Sequence, residues 1–203
     1  MALASTLRRG LLSYLDALGQ LNRNVRLLLV ATVLSGLAQG IFSVDFNLYI
    51  LSLGIQPDVL GGILSAGPFA HALASIPVGF FAEFFGFRKA FAAIYGLAGL
   101  SYLAQVATAN INVIVLGAFV AGLAFSGDFV VRLPFLAASA GDEQRTQVFS
   151  LSSVLSAISF SLGSLVAGYV PNLLARVTPD LTASYRYTLY LAGLLTLLAV
   201  LPA

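Results

Sequence analysis

An all-α membrane protein, folded as a bundle of six transmembrane helices, is the class this sequence predicts. Hydrophobic residues make up 59% of the 203-residue chain and charged residues only 9%, with a mean hydropathy of +0.96; soluble domains carry roughly a quarter charged residues. Apolar stretches of about 20 residues recur along nearly the whole length, each long enough to cross roughly 30 Å of hydrocarbon. Short polar breaks separate them. A backbone in lipid must satisfy its own hydrogen bonds, so these stretches are expected as helices.

Residues 1–24 are read as a cytoplasmic amphipathic leader. Leu7, Leu11, Leu12, Leu15 and Leu18 fall on one helical face, with Arg8, Arg9, Asp16 and Gln20 elsewhere, which suits a helix resting on a membrane surface. A frayed, solvated leader is the alternative. A cleaved signal peptide is not expected, because the segment has no continuous apolar core and no cleavage site. Six spans follow within 25–203: Val25–Leu51, Val59–Ala82, Ala90–Ala109, Ile111–Ala138, Val148–Leu174 and Tyr187–Leu201. The breaks are Gly54–Asp58, Glu83–Lys89, Asn110, Ser139–Gln147 and Arg176–Arg186. No linker divides them, so 25–203 is expected to be one domain. The sixth span offers only about 15 to 17 apolar residues, barely enough to cross, and no basic anchor follows it. The chain is therefore expected to be a fragment of a longer polypeptide, cut at 203.

Orientation follows from the basic residues. Arg8, Arg9, Arg23 and Arg26 precede the first span, Arg88 and Lys89 lie in the second break and Arg145 in the fourth. All share one side of the membrane, which the positive-inside rule makes cytoplasmic. Arg132 stays inside or near the end of the fourth span, and Arg176 and Arg186 lie in the fifth break. The N-terminus is thus expected in the cytoplasm, and a bacterial inner membrane is the expected location.

The second break carries a compact motif, Gly79-Phe-Phe-Ala-Glu83-Phe-Phe-Gly86-Phe-Arg88-Lys89. Gly79 permits close helix packing, Gly86 permits a tight turn, and Glu83 can accept hydrogen bonds from Arg88 or a helix N-terminus. The simpler reading is any short basic cytoplasmic loop that turns on glycine. The motif is similar to the loop between the second and third helices of major facilitator superfamily transporters. Asn47-Leu-Tyr49, Leu53-Gly54, Pro77-Val78-Gly79 and Asp142-Glu143-Gln144-Arg145 resemble further stretches of that family in order and spacing. The resemblance covers essentially all six spans and implies the N-terminal half of such a transporter, with a C-terminal six-helix half or a second copy as partner, the bilayer as surroundings and a small solute as cargo. Two features depart from the family. The family often has an Arg four residues before a Gly in its fourth helix, where this chain has Ala118 before Gly122; proton coupling by that route is therefore not expected. Gly163-Ser-Leu-Val-Ala-Gly168 lacks the Gly-Pro pair of drug/proton antiporters, and its small residues are expected to serve helix packing. No internal repeat is visible in the sequence, although such transporters often contain three-helix repeats.

Polar groups inside spans are candidate functional residues, because each is costly there. Ser35, Gln39, Ser43 and Asn47 recur every fourth position in the first span, a polar stripe suited to a water-filled cavity wall. Asp45 lies off that stripe and is open to two readings, a cavity site or a structural hydrogen-bonding group. His71, the sole histidine, reads either as a packed core residue or as part of the transport chemistry. Asp128 and Arg132 sit at i and i+4 in the fourth span, within reach of an ion pair. They read either as a static pair at the interface or as part of a cytoplasmic gate with Glu83 and Arg88.

The remaining chemistry is mostly excluded. With no cysteine and a single histidine, no zinc site is expected, since zinc takes three or four ligands. No cofactor is expected either. Gly127-Asp128 with Asp45 is similar to the paired aspartates of intramembrane proteases, but that motif needs glycine at the position of Phe125. Neither a zincin motif nor a nucleophile elbow is present, so the chain is not read as an enzyme. The net charge of +2 and the lack of aromatic interleaving leave no nucleic-acid footprint. The alternative to transport is a six-helix membrane partner or assembly protein. The many hydroxyl, amide and aromatic groups, including Ser150, Ser152, Ser153, Ser156, Ser159, Ser161 and Ser164 in the fifth span, favour a neutral or amphipathic solute.

Overall fold

A computed structural model describes residues 22–139, 145–178 and 180–203; the side chains of residues 76 and 81–83 are outside the description. Residues 1–21 of the leader and residues 140–144 of the fourth break therefore lie outside the described residues. Those residues form six helices: α1 (Arg23–Ser52), α2 (Pro57–Phe85), α3 (Phe87–Ala107), α4 (Ile111–Ser139), α5 (Arg145–Leu174) and α6 (Leu181–Leu198). Of these, α1, α3, α4 and α5 are long and apolar enough to cross a membrane. Each helix answers to one predicted span, but several boundaries move for local reasons.

The helix α1 begins at Arg23, inside the segment read as leader. The predicted break at 83–89 shrinks to Gly86, whose φ of +78° lets the chain reverse between α2 and α3 in a single residue. The largest shift is at α6, which starts at Leu181 and not at Tyr187. Asp180 caps it, accepting from the Thr182 backbone N–H at 3.0 Å, so residues 181–186 belong to its first helical turns.

Packing pairs α1 with α5 and α2 with α4, while α3 and α6 lie against each other and brace the other helices. The second three helices repeat the partners of the first three: α1 on α5 answers α4 on α2, and α1 on α6 answers α4 on α3. This internal repeat was invisible in the sequence, because it resides in helix pairing. Backbones meet in each tight pair. A Cβ added at Gly40 would fall well inside 3 Å of the Phe160 carbonyl, one at Gly163 would strike Leu37, and one at Gly122 would strike Gly67. Between α3 and α6 the contacts are reciprocal, with Gly99 under Leu197 and Gly193 under Leu103. In lipid, helix association depends on such close packing of small residues.

Two buried clusters fill the bundle. One, at the end carrying Arg23, Arg88 and Arg145, gathers Leu28, Phe91, Ile94, Tyr95, Val131 and Leu136; the other gathers Ile41, Phe46, Tyr49, Ile50, Tyr102 and Leu189 at the opposite end. Outside them, large apolar residues such as Leu100, Leu116, Leu165 and Leu194 are exposed, as expected of a surface solvated by lipid tails. Loose carbonyls at helix ends are bound. Tyr49 Oη donates to the Val106 carbonyl at 3.0 Å, and Asn22 and Arg145 donate to the Ser139 and Ala137 carbonyls at the end of α4.

Replacing Gly40 or Gly163 with valine should therefore wedge α1 from α5 and cost about 1–3 kcal/mol or more, the range for overpacked cores. Gly62, where an added Cβ would meet nothing within 4 Å, should accept alanine without loss. Thermal unfolding in mild detergent checks the order; equal midpoints for Gly40→Val and Gly62→Ala would contradict it.

Candidate functional site

Between the tight pairs α1/α5 and α2/α4 the bundle is not filled. A cavity of about 570 Å³ on the Tyr49 side is lined from α1 by Phe42, Ser43, Phe46 and Asn47, from α2 by Gly67, Pro68 and His71, from α3 by Tyr102 and Gln105, and from α4 by Gly122 and Phe125. Its wall is largely aromatic: Phe42 stacks on Tyr102 at 3.7 Å between centroids and on Phe46 at 4.6 Å. A second cavity, of about 750 Å³, is lined by Gln39, His71, Phe125, Asp128, Arg132, Ser152, Ser153, Ser156, Phe160 and Ser161, among others. His71 and Phe125 belong to both walls. They mark the junction of an aromatic chamber and a hydroxyl-rich one. Both volumes are within the range of small-molecule sites, about 300–1,000 Å³.

Asp128 and Arg132 form an ion pair one helical turn apart on α4. Tyr95, from α3, donates its hydroxyl to Asp128 Oδ1 at 2.8 Å, and Arg132 Nη2 lies 3.5 Å from that hydroxyl. The triad thus ties α3 to α4 on the wall of the second cavity. Both carboxylate oxygens are bonded and the two charges offset each other, which is the condition for holding them at low dielectric. Arg132 Nε is buried with no partner among the described residues.

The structure distributes the sequence candidates unevenly. Along the polar stripe, Gln39 lines the second cavity and Ser43 and Asn47 the first. Ser35 is buried instead, with its hydroxyl on the Thr32 carbonyl. Asp45 lines neither cavity; it is fully buried, and neither carboxylate oxygen has a hydrogen-bond partner among the described residues. Neither reading offered for Asp45 describes that environment. His71 faces both chambers. Arg88 lines a separate pocket with Arg23 at the basic end, away from the residues around Asp128 and Arg132, and Lys89 is exposed. The Glu83 side chain is outside the described residues. Gly86 makes the turn, whereas a Cβ at Gly79 would meet only Val130 at an ordinary 3.7 Å. The close approach expected of Gly79 belongs to Gly67 and Gly122 instead.

Sequence reasoning missed Tyr95, which completes the Asp128–Arg132 pair, and the link among Tyr49, Val106 and Arg186, whose guanidinium donates to Tyr49 Oη at 3.3 Å. Tyrosines inside apolar spans were the available signal, since a buried hydroxyl needs a partner.

Long apolar helices packed through glycine, with two open cavities between them, define the chain as a polytopic helical membrane protein. The family model of the Major Facilitator Superfamily matches residues 28–203, and the chain belongs to that family, one of transporters and not of enzymes. Its length fits one half of such a transporter. Comparison with curated proteins found no match.

Because each charge of the pair depends on the other, Asp128→Asn or Arg132→Gln should lower stability by about 3–5 kcal/mol, the cost of stranding a buried charge. Tyr95→Phe removes one hydrogen bond and should cost about 1–3 kcal/mol. Exchanging the two charged residues should recover part of the loss. Chemical or thermal unfolding in detergent measures all four variants; single neutralisations that unfold like wild type would show the pair to be energetically idle.

Proposed function

We propose that this chain is the N-terminal six-helix half of a secondary transporter that moves a small solute by alternating access. In this reading all six helices cross the membrane, the end bearing Arg23, Arg88 and Arg145 faces the cytoplasm, and the membrane is a bacterial inner membrane. A C-terminal six-helix half, or a second copy, supplies the opposite wall. The observation that carries the reading is the pair of joined cavities between α1, α2, α4 and α5, which meet at His71 and Phe125 in mid-bundle. A transporter needs such a midplane site at the interface of its rocking units.

Within that mechanism Asp128, Arg132 and Tyr95 hold the cytoplasmic halves of α3 and α4 together and stabilise one access state. Glu83 and Arg88, in the loop motif, serve the same end of the bundle. Basic residues at that end agree with the positive-inside rule. Small residues at the α1–α5 and α2–α4 contacts help this half move as one rigid unit against the other, because backbones in contact leave no soft side-chain layer between them.

The test is solute counterflow in proteoliposomes carrying the complete transporter, with a broad solute panel at two pH values. Saturable uptake of at least one solute is expected, and Phe125→Trp, which narrows the junction of the chambers, should reduce it at least tenfold. Uptake no greater than in empty vesicles for every solute would instead support a non-transporting membrane partner.

A further inference from the structure

Serines in this bundle fall into two groups. Most spend their hydroxyls on their own helix: Ser43, Ser52, Ser65, Ser75, Ser101 and Ser126 each donate to a carbonyl three or four residues back at 2.7–3.0 Å. That is the usual way a helix in lipid absorbs a hydroxyl. On α5 the pattern breaks. Ser161 and Ser164 bond back in this manner, but Ser150, Ser152, Ser153, Ser156 and Ser159 make no side-chain hydrogen bond among the described residues; of these, Ser152, Ser153 and Ser156 line the second cavity.

The opposite wall matches them. The Gln39 amide and the His71 imidazole line the same cavity and also have no side-chain partner among the described residues. Ser152 is only 4% exposed, and its hydroxyl is not among the sealed, unpartnered atoms. Its remaining contact is therefore with the cavity itself. Three hydroxyls, an amide and an imidazole, on α5, α1 and α2, thus surround one space with their donors and acceptors unspent. Ser152 is buried, Gln39, His71 and Ser156 are half-buried and Ser153 is exposed, so all five can present donors and acceptors to whatever enters the cavity, water or solute.

Charge narrows the class. The charged side chains lining this cavity are Asp128 and Arg132, and they are spent on each other. An anionic or cationic solute would have to break that pair or go unneutralised. Phe125 and Phe160 add flat apolar surface beside the hydroxyls, suited to the C–H faces of a ring that carries hydroxyls on its rim. We propose that the second cavity binds a neutral, polyhydroxylated solute, held by hydrogen bonds to Gln39, His71, Ser152, Ser153 and Ser156. This rests on the transporter reading and specifies its cargo.

Counterflow with the complete transporter in proteoliposomes tests it, using two sets of radiolabelled probes. The neutral polyhydroxylated set is a hexose, a hexitol, a disaccharide and a ribonucleoside; the charged set is lactate and tetraphenylphosphonium. At least one neutral probe should show saturable uptake, and the Ser152→Ala/Ser156→Ala double variant should weaken its half-saturation about tenfold or more, as loss of two hydrogen bonds implies. Ser150→Ala, outside the cavity lining, should leave uptake unchanged. Saturable uptake of a charged probe alone, or of a neutral probe indifferent to the double variant, overturns the solute assignment while transport stands. Uptake of no probe from this panel, with other solutes carried, overturns the assignment as well, and uptake of no solute at all removes the transporter reading beneath it.

Discussion

Backbone contact at a few glycines is the constraint on which the rest of this structure depends. Between helices in lipid there is no hydrophobic force to speak of, so association rests on how closely the surfaces fit. Gly40 and Gly163 bring α1 and α5 together at main-chain distance, and Gly67 and Gly122 do the same for α2 and α4. Large side chains are excluded from these contacts and gather elsewhere, in the two buried clusters braced by α3 and α6. What remains between the two tight pairs is space. The cavities joined at His71 and Phe125 are a consequence of the pairing as much as of the residues that line them.

Polar groups in the bundle sort by how their bonds are closed. Serine hydroxyls on α1 to α4 mostly return to their own helices, and tyrosine hydroxyls cross between helices, Tyr49 to Val106 and Tyr95 to Asp128. These bonds stiffen the scaffold. Gln39, His71, Ser152, Ser153 and Ser156 leave theirs open on the cavity wall, where water or solute can meet them, while Ser150 and Ser159 are open away from it. Of those first five, which stand open in one place, only Ser152 is buried; the others are accessible from the cavity. Asp45 is different: it is sealed from both cavities, without a partner among the described residues, on the side of the bundle near Tyr185.

Much of the fold was legible because hydropathy reports directly on the solvent. Apolar length located each helix, the glycine in Gly86-Phe-Arg88 located a turn, and the i, i+4 spacing of Asp128 and Arg132 located an ion pair. What could not be read was relational. Nothing local to Gly40 says that Gly163 lies across from it, and nothing local to Tyr95 says that Asp128 will accept a hydrogen bond from it. The same limit explains Gly79, whose motif suggested close packing although its neighbours leave ordinary room. It also explains α6, where residues 181–186 looked like loop but belong to the first helical turns behind the Asp180 cap. The serine-rich face of α5 was visible as composition, but whether its hydroxyls were spent depended on rotamers and neighbours.

Whether α1, α2, α4 and α5 enclose a water-filled pathway while the outer faces meet lipid can be measured directly, because the chain contains no cysteine. Single cysteines at Gln39, Ser152 and Ser156 and at the outward-facing Leu100, Leu116 and Leu194 would be exposed, in membranes, to a water-soluble maleimide that does not enter hydrocarbon. Rapid modification is expected at the first three positions and almost none at the last three. Equal protection of all six, or faster modification of the leucine positions, would contradict a water-filled interior.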